Sequence, residues 1–484
     1  MTIDHSSLFL GGRWVKPLGS SRIDVRSAST EEVIGSVPDA TDADVDAAVA
    51  VARRAFDDPS GWSHWEPARR AEALERLAEE FEKRADVIID LISQQNGMPI
   101  SIARQLEAPF PGAILRFYAE LIRKQPVEER RDGIFIESTT VRRSPIGVVA
   151  AIVPWNVPQT LLMTKLAPAL AAGCSIVIKP SPETVLDVFE LAEAIAAAQI
   201  PEGVVSIVPG GRELGAYLVS HPGIDKVAFT GSTAGGTAVA TACAKLLRPV
   251  SLELGGKSAA VILDDADLDL SRMGEAFFAA TMANNGQVCF LGTRVLAPRS
   301  RYDEVVDAVA ALVSSVKIGD ATDDDTLVGP MASPTQQQRV SRYIDIGIKE
   351  GARVVAGGAG MPTDIDRGWF VRPTVFADVD NNATVAREEI FGPVLSIIAY
   401  DSDADAIAIA NDSDYGLGGT VWSTDEDRAT SVAAAMQTGT VGINGYIPDP
   451  GAPFGGIKRS GIGREFGAEG LAAYQQLKSI YRMQ

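Results

Sequence analysis

The sequence predicts an α/β protein with two doubly wound α/β lobes and a small β arm. The chain has 484 residues, more than one hydrophobic core usually serves, so at least two lobes are expected. From about residue 145, short apolar, β-branched runs alternate with amphipathic segments, which is typical of parallel sheets covered by helices on both faces. A polar, strand-like stretch over 123–143 fits neither lobe and predicts the arm.

Composition and charge narrow the classes of partner. Hydrophobic residues make up 46% of the chain and charged residues 22%, which is typical of a folded globular protein. Lys and Arg total 44 against 63 Asp and Glu, giving a formal net charge of -19. Because such a surface repels phosphate backbones and anionic lipid, we expect no nucleic-acid partner and no membrane partner.

Cysteine usage indicates a reducing compartment. The three cysteines, Cys174, Cys243 and Cys289, form no CxxC pair and have no metal-ligand spacing, so neither a disulfide framework nor a metal site is expected. The first residues lack the basic and apolar regions of a signal peptide, and no apolar stretch is long enough to span a bilayer. The sequence therefore predicts a cytoplasmic protein.

The N-terminal part combines a short extended start with helices. Residues 8–15 are predicted to be extended, and Thr41 is predicted to cap a helix over 44–56. A second helical stretch is predicted over 68–94, where apolar residues recur at helical spacing. These residues are Leu74, Leu77, Phe81, Ile88 and Leu91.

The first α/β series follows. Strands are predicted at 148–153, 175–178, 204–208 and 226–230, with helices at 161–172, 190–198 and near Gly215. Open parallel sheets of this kind bind dinucleotides at the carboxyl ends of their strands. A second series runs from about 255 to 450, with strands predicted at 258–263 and 394–399.

These patterns give a domain organisation. Residues 1–122 and 144–254 are predicted to form a dinucleotide-binding domain, and residues 255–455 a catalytic domain. Residues 123–143 and 456–484 are predicted to form a bridging segment that supplies an intersubunit sheet. The boundary between the lobes is placed near Gly255 and Gly256.

Cys289 is the candidate nucleophile. Small and polar residues precede it in what is predicted to be a loop after a helix over 274–283, and a thiol in such a turn is reachable by substrate. Cys174 and Cys243 stand beside Ala-rich helical segments and are expected to be inert.

A thiol nucleophile needs a base, and two residue types are candidates. The three histidines, His5, His64 and His221, lie in a terminal tail and in turns, which weakens a Cys-His hydrolase reading. Glu253 instead stands among leucines where a strand meets a double glycine. An acid desolvated there has a raised pKa suited to a general base.

Two features indicate a phosphate-bearing ligand. The segment 229–236 closes a strand and opens a helix with several glycines, where backbone N–H groups often hold a pyrophosphate, although its pattern is not GxGxxG. Lys179 stands at the carboxyl end of a predicted strand, where open α/β sheets bind ligands. A solvated surface lysine is the alternative interpretation.

Taken in order, these segments resemble the aldehyde dehydrogenase superfamily, its NAD(P)-dependent, hydrolytic, non-acylating members, over essentially the whole chain. The matching segments are Pro154-Trp155-Asn156, 179–184 (KPSPET), 229–232 (FTGS), 253–258 (ELGGKS), 286–289 (GQVC), 388–394 (EEIFGPV) and 453–456 (PFGG). The fold this implies is a Rossmann-like cofactor-binding lobe, a catalytic lobe and an oligomerisation arm.

The resemblance implies a reaction and its catalytic residues. Cys289 would attack an aldehyde, and Asn156 with the Cys289 backbone N–H would hold the oxyanion. After hydride transfer to NAD(P), Glu253 would activate the water that hydrolyses the thioester to a carboxylic acid. Lys165 would have a supporting role near the catalytic centre.

The resemblance also implies a cofactor site. Lys179 would hold the adenosine ribose, Ser232 and Trp155 the pyrophosphate, and Glu389 the nicotinamide ribose, with Phe391 packing nearby. The other expected cofactor-binding residues are Ile152, Pro154, Gly211, Gly215, Phe229, Thr230, Gly231, Leu254 and Gly255.

One departure from the family pattern bears on the choice of cofactor. Many NAD-preferring members carry a glutamate three residues after the lysine, where this chain has Pro182, with Glu183 following. NAD is the expected cofactor because Glu183 would repel a 2′-phosphate, and NADP is the alternative.

A second departure bears on the substrate. Val157, Thr160, Leu161 and Thr164 occupy tunnel positions, and Thr164 replaces a frequent bulky ring. With Phe290 and Phe454 beside them, the sequence predicts an apolar, medium to large aldehyde as the small-molecule partner.

Two alternative functions and one assembly state complete the expectations. A CoA-acylating enzyme would transfer the thioester to CoA and generally lacks the carboxylate found here as Glu253. A catalytically silent binding protein of the same fold would have no need of Cys289, Glu253 and Asn156 together. The arm indicates a homodimer or a homotetramer.

Overall fold

The computed structural model describes residues 2–482, and its two large sheets set the architecture. Within that range the first sheet has eight strands. In spatial order they are Gly461–Ile462, Val250–Glu253, Lys226–Thr230, Val148–Ile152, Ser175–Lys179, Val205–Ile207, Leu8–Leu10 and Arg13–Val15. The five central strands, from Val250–Glu253 to Val205–Ile207, are parallel, and the outer strands are antiparallel to their neighbours.

The helices around this sheet cover both of its faces. They are Asp42–Asp57, Pro67–Glu82, Ala85–Asn96, Ile100–Leu106, Pro109–Lys124, Pro158–Ala172, Asp187–Ala197, Arg212–Ser220 and Thr233–Ala244, with a short 3₁₀ turn Trp62–His64. Every residue of Val148–Ile152 and Ser175–Lys179 is buried, because helices pack on either side of the sheet.

The second sheet has seven strands in the described part of the chain. Their order is Arg353–Ala356, Thr374–Ala377, Val394–Tyr400, Arg294–Pro298, Ala259–Ile262, Gly419–Trp422 and Gly442–Ile443. Its helices are Leu270–Thr281, Tyr302–Ser315, Pro334–Lys349, Thr384–Arg387, Asp403–Asn411 and Glu426–Ala435, with 3₁₀ turns Asn284–Gly286 and Arg299–Arg301. Except for the antiparallel edge Arg353–Ala356, the neighbours are parallel.

A separate antiparallel sheet forms the arm. It consists of Glu128–Asp132, Ser138–Pro145 and Gln475–Tyr481. A further small sheet joins Ile3–Asp4, Val33–Pro38 and Arg22–Arg26, and Tyr415–Gly416 pairs with Ile457–Lys458. The last helix is Gly467–Ala472.

The arm sheet differs in extent from the predicted bridging segment. Residues 123 and 124 end the helix Pro109–Lys124, so the arm begins at Glu128, and its second strand runs on to Pro145. Of the C-terminal segment, only Gln475–Tyr481 joins the arm, whereas Gly461–Ile462 adds to the edge of the first sheet. The local composition of a strand does not reveal which sheet it joins.

The helical stretch predicted over 68–94 is two helices. The first ends with Lys83 as its C-cap, and the second begins after Arg84. Apolar residues on both sides of this break enter the same core, including Leu77, Phe81 and Ile88. The periodicity therefore continues across the break and cannot reveal it.

Thr41 is a helix cap, as the sequence predicts. Its hydroxyl accepts a hydrogen bond from the Asp44 N–H at 3.3 Å, and the Asp44 carboxylate accepts one from the Thr41 N–H at 2.8 Å. None of the helices within residues 2–482 is long and apolar enough to cross a membrane.

Replacing Thr41 with alanine removes one half of this capping box. We expect T41A to lower the free energy of unfolding by about 1 kcal/mol, the usual cost of losing such a cap. Denaturant unfolding would measure the loss. T363A, in an exposed turn, is the matched control, and an equal loss in both variants would contradict the capping role.

Candidate active site

A cleft of about 270 Å³ lies between the two large sheets, and both contribute to its walls. The first sheet supplies residues at or beyond the carboxyl ends of its strands: Pro154, Trp155, Asn156, Leu161, Thr230, Gly231, Ser232, Glu253, Leu254 and Gly255. The second sheet supplies Cys289, Glu389 and Phe391, which precede its strands, and Gln336 and Arg339 from a helix. The cleft thus brings together most of the residues that the sequence singled out.

Cys289 stands at the cleft wall, three residues after the turn Asn284–Gly286. It is half-buried, whereas Cys174 and Cys243 are fully buried away from the cleft. Burial raises the pKa of the Cys289 thiol well above its ordinary value, and the charges of Glu389 and Glu253 act in the same direction. The thiol therefore rests in its protonated form at neutral pH.

The double glycine at 255–256 lets the first lobe approach the nucleophile loop. A Cβ atom at Gly256 would lie 2.5 Å from the Cys289 carbonyl oxygen, and one at Gly255 would collide with the Glu389 carboxylate. In turn, the Gly256 N–H donates to Glu389 Oε1 at 3.0 Å. Only residues without a side chain fit between these groups.

Glu253 ends its strand in the cleft and is 3% exposed. Burial raises its pKa well above the ordinary value, the negative charge of Glu465 raises it further, and Lys165 and Arg464 oppose both effects. Its Oε2 atom has no hydrogen-bond partner within the described residues. Glu253 is thus a buried carboxyl group whose raised pKa suits a general base.

Lys165 forms a buried ion pair behind Glu253. Its Nζ lies 2.6 Å from Glu465 Oε1, and both side chains are almost completely buried. Lys165 also donates to the Leu161 carbonyl at 3.2 Å and to Thr164 Oγ1 at 3.3 Å. It therefore acts on Glu253 through charge and through the position of Glu465.

Asn156 lies over the nucleophile loop. Its Nδ2 donates to the Gln287 carbonyl oxygen at 2.8 Å, two residues before Cys289. The side chain is buried and lines the same cleft as the thiol. An amide with one N–H so anchored can present its other N–H to an oxyanion.

The residues predicted to hold a dinucleotide form a cradle at the carboxyl edge of the first sheet. Ser232 caps the helix Thr233–Ala244 by accepting a hydrogen bond from the Gly235 N–H at 3.2 Å. The Phe229 ring packs so closely on Gly231 and Gly235 that a Cβ atom at either would lie within 3.0 Å of it. Because no side chains extend from these glycines, an anion can approach this helix N-terminus, whose dipole favours negative charge.

Lys179 lies deeper, at the end of its strand. Its Nζ donates to the carbonyl oxygens of Pro180 and Gly210, at 2.8 and 2.7 Å, and burial lowers its pKa to about 8. A Cβ atom at Gly215 would lie 3.3 Å from this side chain, with the end of Ile152 beside it, whereas one at Gly211 would meet open space. Lys179 is therefore a buried lysine and not a solvated surface lysine.

The predicted substrate residues are placed differently from one another. Leu161 lines the cleft, while Val157 is buried at the start of the helix Pro158–Ala172. Thr160 and Thr164 are turned onto the main chain: their hydroxyls donate to the carbonyls of Leu106 and Leu161, each at 2.8 Å. Neither threonine lines the cleft.

Aromatic rings gather next to the nucleophile. Phe290 stacks on Tyr446, with centroids 4.4 Å apart, and meets Phe454 edge-on at 6.4 Å. On the cofactor side Trp155 meets Phe391 edge-on at 5.4 Å. An aromatic cluster thus begins at the residue after Cys289, and a second aromatic pair, Trp155 and Phe391, lines the cleft itself.

Sequence reasoning missed four residues here: Gln336, Arg339, Tyr446 and Glu465. Gln336 Nε2 donates to the Phe391 carbonyl at 2.6 Å, and Arg339 donates to the carbonyls of Glu389 and Ile390. The i, i+3 spacing of Gln336 and Arg339 was the available sequence signal, but residues on one face of any helix share that spacing.

Within residues 2–482, neither a histidine nor a metal-binding group of side chains accompanies Cys289 in the cleft. His5 stacks on Phe189, His64 bonds Ser63, and His221 lies 3.3 Å from Asp46, so none lines the cleft. No group of three or more His, Cys, Asp or Glu side chains in this range could hold a metal ion. A larger recess of about 600 Å³ at the base of the arm contains none of the predicted site residues.

Comparison with known proteins identifies the family to which the chain belongs. The model of the aldehyde dehydrogenase family matches residues 14–480. Geranial dehydrogenase of Castellaniella defragrans is 55% identical over 481 residues, covering 99% of each chain. An aldehyde dehydrogenase of Mycobacterium tuberculosis, complexed with NAD+, superposes with a TM-score of 0.96 at 48% identity, covering 99% of this chain and 98% of that one.

A further solved structure carries both kinds of ligand. A mutant aldehyde dehydrogenase of Pseudomonas syringae, complexed with NAD+ and octanal, gives a TM-score of 0.94 at 40% identity, covering 98% of this chain and 96% of that one. Its fold and that of the Mycobacterium tuberculosis enzyme match the α/β architecture predicted from the sequence. With a family match over nearly its whole length, the chain belongs to the aldehyde dehydrogenase family.

Proposed function

We propose that the protein oxidises an aldehyde to its carboxylic acid with NAD, through intermediates carried on Cys289. The observation that carries this proposal is one cleft lined by a thiol, a buried carboxyl group and an anchored amide, Cys289, Glu253 and Asn156. Relatives named for aldehyde oxidation, over the full length of the chain, support it.

The cradle at the first sheet fits a dinucleotide. Gly231 and Gly235 lie against Phe229 with no room for side chains, at the N-terminus of the helix that Ser232 caps. The pyrophosphate would lie there, a ribose by Lys179 and the nicotinamide end by Leu254, Gly255, Glu389 and Phe391. When bound, NAD supplies the hydride acceptor.

Covalent chemistry begins at Cys289. The Cys289 thiol loses its proton to solvent water, its sulfur attacks the carbonyl carbon to form a C–S bond, and the electron pair of the C=O π bond moves to the carbonyl oxygen, which becomes an oxyanion. The free N–H of Asn156 Nδ2 and the backbone N–H of Cys289 donate to that oxyanion. Loss of hydride from the same carbon re-forms the C=O bond and leaves a thioester on Cys289.

Glu253 completes the turnover. Its carboxylate takes a proton from water as the water attacks the thioester carbon, the C–S bond breaks, and the acid product leaves. The raised pKa of Glu253 makes it a stronger base than an ordinary glutamate. Lys165 and Glu465 set the electrostatic surroundings of this step.

Charge near Lys179 favours NAD over NADP. Glu183 is close enough to Lys179 to affect its pKa, and Ser181 Oγ donates to the Glu183 carboxylate. A fixed negative charge at this edge repels a 2′-phosphate, although Pro182 replaces the usual ribose-binding carboxylate. Higher kcat/KM with NADP would reject this choice.

Two other functions for this fold are less well supported. CoA-acylating relatives generally lack a carboxylate at the position of Glu253, so NADH formation that requires CoA would identify that function. A silent binding protein would not need a half-buried thiol at the cleft wall beside a buried acid, and a Cys289 no more reactive to iodoacetamide than Cys174 would identify it.

The ring cluster favours an apolar, medium to large aldehyde. Phe290, Tyr446 and Phe454 offer aromatic surface beside Cys289, and aromatic surface is bound by alkyl and alkenyl chains. The relative named for geranial and the structure complexed with octanal are in keeping with such a substrate.

Two unpaired strand edges support a homodimer or homotetramer. Gln475–Tyr481 pairs on one side with Ser138–Pro145, and Gly442–Ile443 ends the second sheet, with no further neighbour for either within residues 2–482. Leu477 and Tyr481 are about two-thirds exposed. Paired edges between copies would cover both strands. The three free thiols are in keeping with a cytoplasmic location.

Replacing the nucleophile tests the function directly. We expect C289A to lose steady-state NADH formation by at least about 10³-fold, because no thioester can form, while its Kd for NAD stays within a few-fold. C243A, at a buried cysteine away from the cleft, is the matched control. Turnover by C289A near the wild-type rate would refute the proposed chemistry.

Replacing the base separates the two halves of the reaction. We expect E253Q to give one rapid burst of NADH per active site and then almost no steady turnover, because hydride transfer proceeds and hydrolysis stalls. Stopped-flow absorbance of NADH would show both phases.

The same residue predicts the pH dependence. Since the pKa of Glu253 is raised and the base acts as the carboxylate, the wild-type steady rate should fall as pH drops through that raised pKa. The residual steady rate of E253Q should lack this limb. An unchanged steady rate in E253Q would mean that another group is the base.

A panel of aldehydes tests the substrate class. We expect kcat/KM for octanal and geranial to exceed that for acetaldehyde and succinic semialdehyde by at least about tenfold, since each buried CH₂ contributes about 0.8 kcal/mol. Y446A should reduce this preference. Highest kcat/KM for acetaldehyde or succinic semialdehyde would reject the apolar class.

A charge on the arm tests the assembly. L477R places a cation on the exposed edge strand and should shift the protein toward monomers in light scattering. L247R, at a 92% exposed leucine of the first lobe, is the matched control. A monomeric wild type, or an L477R variant as associated as wild type, would contradict the proposed edge pairing.

A further inference from the structure

Five buried amide side chains surround the nucleophile loop: Asn96, Asn156, Asn284, Asn285 and Gln287. They join the end of the helix Ala85–Asn96, the loop after Val148–Ile152, the loop 329–332 and the nucleophile loop 284–289. Buried amides are costly unless their hydrogen bonds are made, so this concentration calls for a specific role.

The Asn156 side chain is oriented by the nucleophile loop itself. Its Nδ2 faces the Gln287 carbonyl oxygen at 2.8 Å, which only an N–H can satisfy, so the side-chain amide cannot be flipped without losing that bond. The second Nδ2 hydrogen is then left for the cleft.

The Asn156 main chain is held by two other amides. Asn284 Nδ2 donates to the Asn156 carbonyl oxygen at 2.9 Å, and Asn96 Nδ2 donates to the same oxygen at 3.2 Å and to the Trp155 carbonyl at 2.9 Å. Asn284 and Asn96 are at most 1% exposed. Asn284 therefore fixes the distance between the loop that carries Cys289 and the backbone that carries the oxyanion donor.

Asn284 also has a backbone reason to be asparagine. Its φ is 51°, followed by 60° at Asn285 and 74° at Gly286, and asparagine tolerates this left-handed region better than most residues. A glycine would satisfy the backbone equally well but would lose the amide. The backbone contribution of Asn284 can thus be separated from its hydrogen-bonding contribution by substitution with glycine.

We propose that Asn284 is a positioning residue for the oxyanion hole, acting through the Asn156 main-chain carbonyl. This inference rests on the proposed function. Asn284 itself does not line the cleft, and its amide donates to the Asn156 carbonyl oxygen. Its bond keeps the free N–H of Asn156 at the distance from Cys289 at which an oxyanion forms, and small displacements there weaken catalysis strongly.

The neighbouring residue provides a matched control. Asn285 is also left-handed and fully buried, but its amide donates to the carbonyls of Gly97 and Pro330, at 2.7 and 2.9 Å, and accepts from the Gly329 N–H at 2.6 Å. These bonds hold the far side of the loop and none reaches Asn156.

The test compares N284G with N285G by two readouts on the full-length protein. Aldehyde oxidation needs the oxyanion hole, whereas alkylation of Cys289 by iodoacetamide forms no oxyanion. For N284G we expect kcat/KM to fall by about 10- to 100-fold, with the alkylation rate and the Kd for NAD within about threefold of wild type. For N285G we expect turnover and alkylation to change together.

A double variant tests whether Asn284 acts through Asn156. If it does, N156A/N284G should be no slower than N156A alone, because the group being positioned is already gone. If N284G unfolds, N284S, which keeps a small polar side chain, replaces it in the same cycle.

Three outcomes would overturn the inference: wild-type kcat/KM in N284G, parallel loss of turnover and alkylation in N284G, or multiplied losses in the double variant. Failure of the proposed function is a separate result, because wild type itself would then not oxidise aldehydes. In that case N156A and N284G would have no turnover to lose.

Discussion

The hydrogen bond from Asn156 to the Gln287 carbonyl is the contact on which the site depends, because it joins the two lobes at the reacting centre. Asn156 follows a strand of the first sheet, and Gln287 belongs to the loop that precedes a strand of the second. Neither lobe alone contains both the proposed nucleophile, Cys289, and the proposed side-chain oxyanion donor, Asn156. The two glycines at 255–256 allow the same close approach of the lobes, because they have no side chains to collide with Cys289 and Glu389.

Burial at this junction gives the site its electrostatic character. It raises the pKa of the Cys289 thiol and of the Glu253 carboxyl group together. Burial therefore disfavours the charged form of each group, which reduces the repulsion between two negative charges in one buried cleft. The low local dielectric that disfavours charged Cys289 and Glu253 also strengthens any hydrogen bond to an oxyanion formed there. The buried pair of Lys165 and Glu465 adds one charge of each sign behind the base.

Much of the fold was predictable because its signals are local. Alternating apolar runs located the parallel strands, and Thr41 marked a helix start. Other features have no local signal: Glu465 reaches its partner Lys165 across 300 residues of sequence, and Tyr446 reaches Phe290 from another loop. The arm was misjudged in extent for the same reason, since a polar strand carries no mark of the sheet it joins. Segments matching a family located Cys289, Glu253 and Asn156 more sharply than composition did.

The left-handed run before Cys289 shows how backbone and chemistry constrain the same residues. Three successive residues with positive φ turn the chain sharply, and asparagine and glycine tolerate this at low cost. A Cβ atom at Gly286 would collide with the Gly392 carbonyl, so the turn is also packed against the Phe391 loop. Asparagine is one of the few residues that tolerate the backbone at 284, and unlike glycine it has an amide that can bond Asn156. A turn with positive φ can therefore also position catalytic groups, because asparagine tolerates this backbone and its side chain forms hydrogen bonds.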